Sequence, residues 1–248
     1  MIILKSSRTI DKMRKAGRLA SQARALAGEL ISPGIRTEEI DKEVCKFIRQ
    51  SGGEPTFLGY GGFPKSLCIS VNDEIIHGIP GSRILRTGDI VSIDVGATVD
   101  GYIGDCAATF ACGEISKEAR RLIDVTQESF YRGIEFAREG YRVSDIGAAI
   151  AEYVESNGYS VVREYVGHGV GSNLHEEPSI PNYRSRENRE RLQRGMTLAI
   201  EPMVNAGNYR TKVLSDKWTV VTLDGSLSAH YENSLAITDG AAEILTVS

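Results

Sequence analysis

The segment 89–110, DIVSIDVGATVDGYIGDCAATF, restricts the folding of this chain more than any other stretch. Two runs of alternating apolar residues flank Asp100-Gly101, a pair suited to a tight hairpin turn. With those two residues as the loop, Val99 pairs with Tyr102 and Asp94 lies opposite Ala107. Asp105 then falls two residues along from Ala107, so both carboxylates project from one face as diagonal neighbours. Aspartate is disfavoured within strands, and two aimed at one spot repel each other unless a cation lies between them. The alternative is a pair of solvated strand residues, and the rest of the chain decides between the two.

Helical periodicity opens the chain. Ile10, Met13, Gly17, Ala20, Ala23, Ala27 and Leu30 recur at three- and four-residue steps after Ser7 or Thr9, either of which can cap the helix. Ser32-Pro33-Gly34 ends it. Thr37 caps a second helix, with Glu38 and Glu39 in its first turn, a buried face of Ile40, Val44, Phe47 and Ile48, and a stop at Gly52-Gly53. A glycine and aromatic loop at 59–64, a strand at 67–71, the turn Asn72-Asp73 and the run Ile75-Ile76-His77 lead to the hairpin. Ser116 opens a third helix that runs to Glu139-Gly140, and a fourth carries Ile146, Ile150, Tyr153 and Val154 as far as Asn157-Gly158. The remainder reads mostly as strand, at 161–166, 197–201, 219–223 and 231–238.

Laid on itself at an offset of 106 residues, the chain shows a faint repeat. Gly34-Ile35-Arg36 meets Gly140-Tyr141-Arg142, and the stripe Ile40, Val44, Phe47, Ile48 and Gly52 meets Ile146, Ile150, Tyr153, Val154 and Gly158. The same offset carries Asp94 to position 200, one short of Glu201. The expectation is an α+β chain of two similar halves, about 9–114 and 116–248, packed as a single catalytic domain over 1–248 with the site where their strands meet.

Three more residues stand where polar side chains are usually avoided. Glu201 ends the apolar run Thr197-Leu198-Ala199-Ile200, Glu232 sits in a strand-like stretch, and His168 lies between glycines that allow close backbone approach. Each alone is explained by a hydrogen-bonded buried polar group. Together with the hairpin aspartates they supply four carboxylates and one imidazole, a donor set for a hard or borderline divalent cation rather than a structural zinc knot. Four negative charges call for two such cations. The cysteines at 45, 68, 106 and 112 form no C-x-x-C spacing and read as reduced thiols. No apolar run is long enough for an export signal or a membrane span, so a cytoplasmic location is expected. A net charge of −4 offers no basic face for nucleic acid or an anionic membrane.

Asp94, Asp105, His168, Glu201 and Glu232 follow the order D, D, H, E, E of the pita-bread metallopeptidases, and the phrases around them resemble the type I methionine aminopeptidases. Those phrases are Cys68-Ile69-Ser70-Val71-Asn72, His77-Gly78-Ile79-Pro80, Gly88-Asp89-Ile90-Val91-Ser92-Ile93-Asp94, Gly167-His168-Gly169-Val170-Gly171, Leu174-His175-Glu176-Glu177-Pro178 and Ile200-Glu201-Pro202-Met203. The long insertion of the type II enzymes is absent from the stretch where it would fall.

This resemblance implies a curved antiparallel sheet covered by helices, in two pseudo-symmetric halves. It implies two divalent ions (Co, Mn, Fe or Zn) on Asp94, Asp105, His168, Glu201 and Glu232, with a bridging hydroxide that attacks the first peptide bond. It makes His77 and His175 substrate-contacting and catalytic, Glu201 the proton shuttle, and Tyr60, Phe63, Cys68, Leu174 and Trp218 the walls of a methionine pocket. The implied substrate is the N-terminal methionine of nascent polypeptides, with a small second residue preferred. The implied protein is a cytoplasmic monomer with the ribosome as a candidate partner.

Two positions depart from the family pattern. The final motif often reads Glu-His-Thr where this chain has Glu232-Asn233-Ser234, and Phe57 stands where a smaller residue is common. His230 is expected to support the ligands rather than join them. The rivals are an Xaa-Pro aminopeptidase of the same fold, whose usual extra N-terminal domain finds no room in 248 residues, and a non-catalytic binding protein, which would lack some of the five ligands.

Overall fold

The computed structural model describes residues 1–247. Helix α1 (Ser7–Leu30) and helix α2 (Thr37–Gln50) lead to the short strand β1 (Glu54–Pro55). Strands β2 (Cys68–Val71) and β3 (Glu74–Ile76) precede the long hairpin of β4 (Ile90–Val99) and β5 (Tyr102–Ala111). Helices α3 (Lys117–Ile134) and α4 (Val143–Ser156) follow. The rest is strand and loop: β6 (Ser160–Val161), β7 (Gly167–Gly169), β8 (Glu176–Ile180), β9 (Thr197–Ile200), β10 (Met203–Asn205), β11 (Thr211–Val213), β12 (Val220–Thr222), β13 (Ser228–His230), β14 (Glu232–Ala236) and β15 (Glu243–Ile244).

The main sheet runs β1-β4-β5-β14-β9-β7-β8, with β2 added to β4 and β15 to β14. Every pairing in it is antiparallel. Two three-stranded sheets, β13-β10-β6 and β11-β12-β3, flank it. Helices α1 and α2 bury Leu19, Ala20, Ala23, Ile40, Val44 and Ile48 against Ile69, Val91, Ile93 and Val95 of β2 and β4. On the same sheet face, over the second half of the chain, α3 and α4 bury Leu122, Phe130, Ile146, Ile150 and Val154 with Leu198, Ile200, Val204 and Leu235. This is the pita-bread arrangement of one curved antiparallel sheet covered by helices. Helices α2 and α4 are both 14 residues long, lie at the 106-residue offset, and each begins where an arginine N–H donates to an acidic side chain three residues on.

Several boundaries differ from those the sequence predicts. Ser6, not Ser7 or Thr9, caps α1, its Oγ accepting the Thr9 N–H at 3.2 Å. Arg36 rather than Thr37 is the N-cap of α2, and the Thr37 hydroxyl instead donates to the Gly81 carbonyl. Helix α3 stops at Ile134, short of Glu139-Gly140, because the chain tightens into three-residue turns that swing Ala137 into the core. The run 161–166 is not one strand: the Arg163 guanidinium leaves it to stack on Tyr209, and pairing resumes only at Gly167.

Candidate metal centre

The hairpin sets the geometry. Asp100 and Gly101 take φ values of 52° and 77°, the left-handed pair that a two-residue turn of matching twist requires. The ladder then runs without a slip, Val99 facing Tyr102, Gly96 facing Asp105 and Asp94 facing Ala107. Successive side chains alternate across a strand, so Asp94 and Asp105 emerge on the same face and line the same cavity. Glu232 opens β14 directly opposite Ala107, and Glu201 follows the last residue of β9, whose Ile200 faces Asn233. His168, central in β7, faces Ala199. Five residues from five separate segments thus converge on one cavity of about 180 Å³.

His168 presents one nitrogen by construction. Its Nδ1 lies 2.8 Å from the Gly169 carbonyl, which can only accept, so Nδ1 carries the proton and Nε2 is free as a donor of electrons. That Nε2 sits 3.8 Å from Asp105 Oδ2 and 3.6 Å from Glu201 Oε1. Burial, reinforced by His175, holds the His168 pKa down to about 4, so the ring is neutral at pH 7. Ligand atoms of Asp105, His168 and Glu232 all lie within 4.8 Å of one another.

The carboxylates show the opposite strain. Burial, then mutual repulsion, lifts Asp94, Glu201 and Glu232 well above the usual carboxylate range. Burial raises Asp105 to about 7 although the Cys106 amide partly stabilises its charge. Among the described residues, none of the four pairs with a lysine or arginine, and Asp94 Oδ1, Asp105 Oδ1 and Glu232 Oε1 are buried without a hydrogen-bond partner. Orphaned buried oxygens of this kind cost free energy unless a cation takes their charge. The donor set therefore fits divalent metal.

The remaining wall is apolar. Phe63 meets Trp218 edge-on with ring centres 5.2 Å apart, and Cys68 and Leu174 close the space between them. Asp216 accepts the Trp218 and Thr219 N–H groups at 2.9 Å each, a turn that holds the tryptophan over the cavity. Tyr60 is half exposed at the rim, and its hydroxyl lies 2.7 Å from His175 Nδ1. His77 is half-buried between Tyr165 and Trp218, and desolvation there, with the charge of His175, lowers its pKa to about 4. All twelve residues named from the sequence as catalytic, ligating or pocket-forming lie on this one cavity. Phe57 lines it too, its ring occupying the space above Gly96.

Sequence reasoning did not single out Gly61 and Tyr165. Gly61 also lines the cavity and Tyr165 packs on His77; the positive φ of Gly61 was hinted at by the Gly61-Gly62 pair, whereas nothing local marked Tyr165. His230 is fully buried, with Nε2 3.7 Å from Glu201 Oε2 and 4.0 Å from Glu232 Oε2. Asn233 turns away from the cavity, and its Oδ1 accepts from Arg24 and Thr246.

A pita-bread sheet with four uncompensated carboxylates and a neutral imidazole on one cavity defines a metallopeptidase. The description of metallopeptidase family M24 matches residues 11–239, and the chain belongs to that family. The methionine aminopeptidase of Clostridium perfringens is 53% identical over 247 residues, which cover 100% of this chain and 99% of that one. The crystal structure of methionine aminopeptidase from Thermotoga maritima superposes with a TM-score of 0.98 at 43% identity, covering 100% of both chains. Prolidase from Pyrococcus furiosus shares the fold at a TM-score of 0.79 and 24% identity, covering 99% of this chain and 66% of its own. Among the described residues no helix is long and apolar enough to cross a membrane.

Proposed function

We infer that this chain is a methionine aminopeptidase, a metal-dependent hydrolase that removes methionine from the N-terminus of peptides and nascent proteins. One observation carries the reading: the same small cavity joins the carboxylate and imidazole cluster to a wall of aromatic, aliphatic and thiol side chains. Such a wall suits an unbranched, polarisable thioether. Identity of 53% across the full chain separates this reading from an Xaa-Pro peptidase, with which only the fold is shared.

Asp94, Asp105, His168, Glu201 and Glu232 would hold two divalent ions. When bound, these ions polarise the scissile carbonyl and make water acidic enough to attack at neutral pH. The chain's own residues do the rest. Tyr60, Phe63, Cys68, Leu174 and Trp218 seat the side chain and exclude water. His175, its ring fixed by Tyr60, donates to the carbonyl oxygen as charge develops there. His77, neutral and clamped between two aromatic rings, contacts the scissile amide. Glu201 takes the proton lost by the attacking water and passes it to the leaving amine. We propose a cytoplasmic monomer acting on chains emerging from the ribosome, with manganese, iron, cobalt or zinc as the working metal.

The test is to strip the protein, reload it with Mn²⁺, Fe²⁺ or Co²⁺, and assay Met-Ala-Ser, Met-Leu-Ser and Ala-Pro-Ala side by side. Release of methionine from Met-Ala-Ser well ahead of the other two is expected. Preference for Ala-Pro-Ala would replace this reading with the Xaa-Pro one, and no turnover under any metal would favour a binding protein.

A further inference from the structure

The side chains of one charged pair beside the cavity are almost entirely covered. Lys5 Nζ donates to Glu176 Oε2, and the two side chains are 5% and 6% exposed. Glu176 directly follows His175 and opens β8. Its other oxygen, Oε1, accepts the Asn173 N–H at 3.2 Å. A single carboxylate therefore closes the turn that contains Leu174 and His175, and Lys5 balances its charge.

The surroundings are shaped to this pair. Gly171 begins the turn, its N–H donating to the Asn173 carbonyl at 3.1 Å. A Cβ on Gly171 would lie 2.4 Å from Glu176 Oε1 and 2.7 Å from Lys5 Cε. The last glycine of Gly167-His168-Gly169-Val170-Gly171 thus makes room for the ion pair, separately from its neighbours' contact with β8 and β9. Lys5 is anchored on its own side: its N–H donates to the Gly195 carbonyl at 2.7 Å, and Nζ also donates to the Ile3 carbonyl at 3.1 Å.

We propose that Lys5 is a positioning residue of the active site: the segment ahead of α1 straps the turn at 171–176 through Glu176 and so holds Leu174 and His175 against the cavity. This rests on the roles given above to those two residues. Lys5 touches no substrate and acts only through Glu176. The Tyr60 hydroxyl restrains the same histidine ring, so the imidazole is held by both the aromatic loop and the strapped turn. Loss of either partner strands a buried charge, whereas loss of both does not.

Lys5→Met keeps the stem and removes the charge. In the metal-loaded enzyme, faster hydrogen exchange at the amides of residues 173–175 is expected. A fall in kcat on the order of 10-fold, with metal content unchanged, should accompany it, less than the ~10²-fold that a full ångström of misplacement can cost. Glu176→Gln alone, which strands Lys5, should show the same signature and serves in its place if Lys5→Met does not fold. In Lys5→Met/Glu176→Gln the glutamine oxygen still accepts from Asn173, so kcat and exchange should return to within about threefold of wild type, well short of that loss. Wild-type exchange and kcat in both single variants would overturn the proposal, as would a double variant no better than the singles. Failure of the wild type to release methionine would count against the functional reading alone, because exchange still tests the strap.

Discussion

Asp94 and Glu232 stand in one cross-strand row, two strands apart, each directly opposite Ala107. Cys68 extends the row beyond Asp94 on β2. Cross-strand partners project to the same face, so the smallness of Ala107 leaves the gap into which both carboxylates reach. A parallel relation links His168 and Ser234, both opposite Ala199, with the Ser234 hydroxyl bridging to the Asp105 backbone. The centre is thus a patch of one sheet face, and its spacing is that of the strands.

Ala107→Leu should fill that gap. Overpacking of this kind costs about 1–3 kcal/mol, tolerable for a chain of this size, so the variant should remain folded. Metal bound per chain, measured by elemental analysis after dialysis against Mn²⁺, should fall to near zero. Full metal content in a folded Ala107→Leu would show that the carboxylates do not share the space above residue 107.

Asp105→Asn tests the hairpin in a second way. Asp105 is 4% exposed, and its Oδ1 has no partner. The amide keeps the shape, removes one buried negative charge and weakens the donor. Thermal stability of the metal-free variant should equal or exceed that of the metal-free wild type, while metal binding and turnover are lost. Retention of both activity and metal would remove Asp105 from the ligand set.

Much of this was readable because its causes are local. A turn that needs two left-handed residues chose Asp100-Gly101, and the two-residue period of a strand fixed which aspartates share a face. Glu201 was conspicuous as a charge ending an apolar run, and Glu232 as a charge inside a strand-like stretch. What could not be read depends on partners distant in the chain. Strand β8, with the sequence Glu-Glu-Pro-Ser-Ile, has no alternation of its own and exists because Gly167 and Gly169 pair with it. The bond from Tyr60 to His175 spans 115 positions and the ion pair from Lys5 to Glu176 spans 171, and no spacing rule reaches that far.

The stability of the metal-free protein should fall as pH rises above about 6.5, where unfolded histidines are already neutral. Asp94, Asp105, Glu201 and Glu232 have folded pKa values raised above their unfolded ones. Their stabilising contribution is full below the unfolded value of about 4 and is lost as pH climbs through the folded values, near 7 for Asp105, with the other three also raised well above the ordinary carboxylate range. The histidines act in the other direction. His77 and His168 are held near 4 and His230 near 3, so their contribution is full above about 6.5 and is lost as pH falls. The two sets oppose below 6.5, and only the carboxylates act above it. Urea midpoints of chelator-treated protein from pH 6.5 to 9 should decline, and saturating Mn²⁺ should abolish the decline. A flat or rising metal-free profile would contradict the burial of these carboxyls without a counter-charge.

His77 and Glu201 should separate under mutation into a substrate contact and a combined ligand and proton carrier. His77 holds a left-handed backbone, φ 59°, which a histidine adopts at some cost. Gly78 explains how that conformation is kept: its N–H donates to Ser70 Oγ, and a Cβ there would meet the Ile69 carbonyl oxygen at 2.2 Å. The backbone of β2 thus pins the loop and delivers the ring to the cavity without placing it among the carboxylates. His77→Ala should lower kcat/KM by roughly 10²–10⁴-fold, the usual cost of one hydrogen-bonding or acid–base group, with metal affinity almost unchanged. Glu201 sits 3.6 Å from His168 on one oxygen and 3.7 Å from His230 on the other, inside the cluster of carboxylates and imidazole. Glu201→Gln can still offer an oxygen to metal but cannot accept a proton from water, so affinity and rate should fall together. Metal content by elemental analysis and kcat/KM at saturating Mn²⁺, measured for both variants, decide the matter. Loss of metal from His77→Ala, or wild-type turnover by Glu201→Gln, would reverse the assignment.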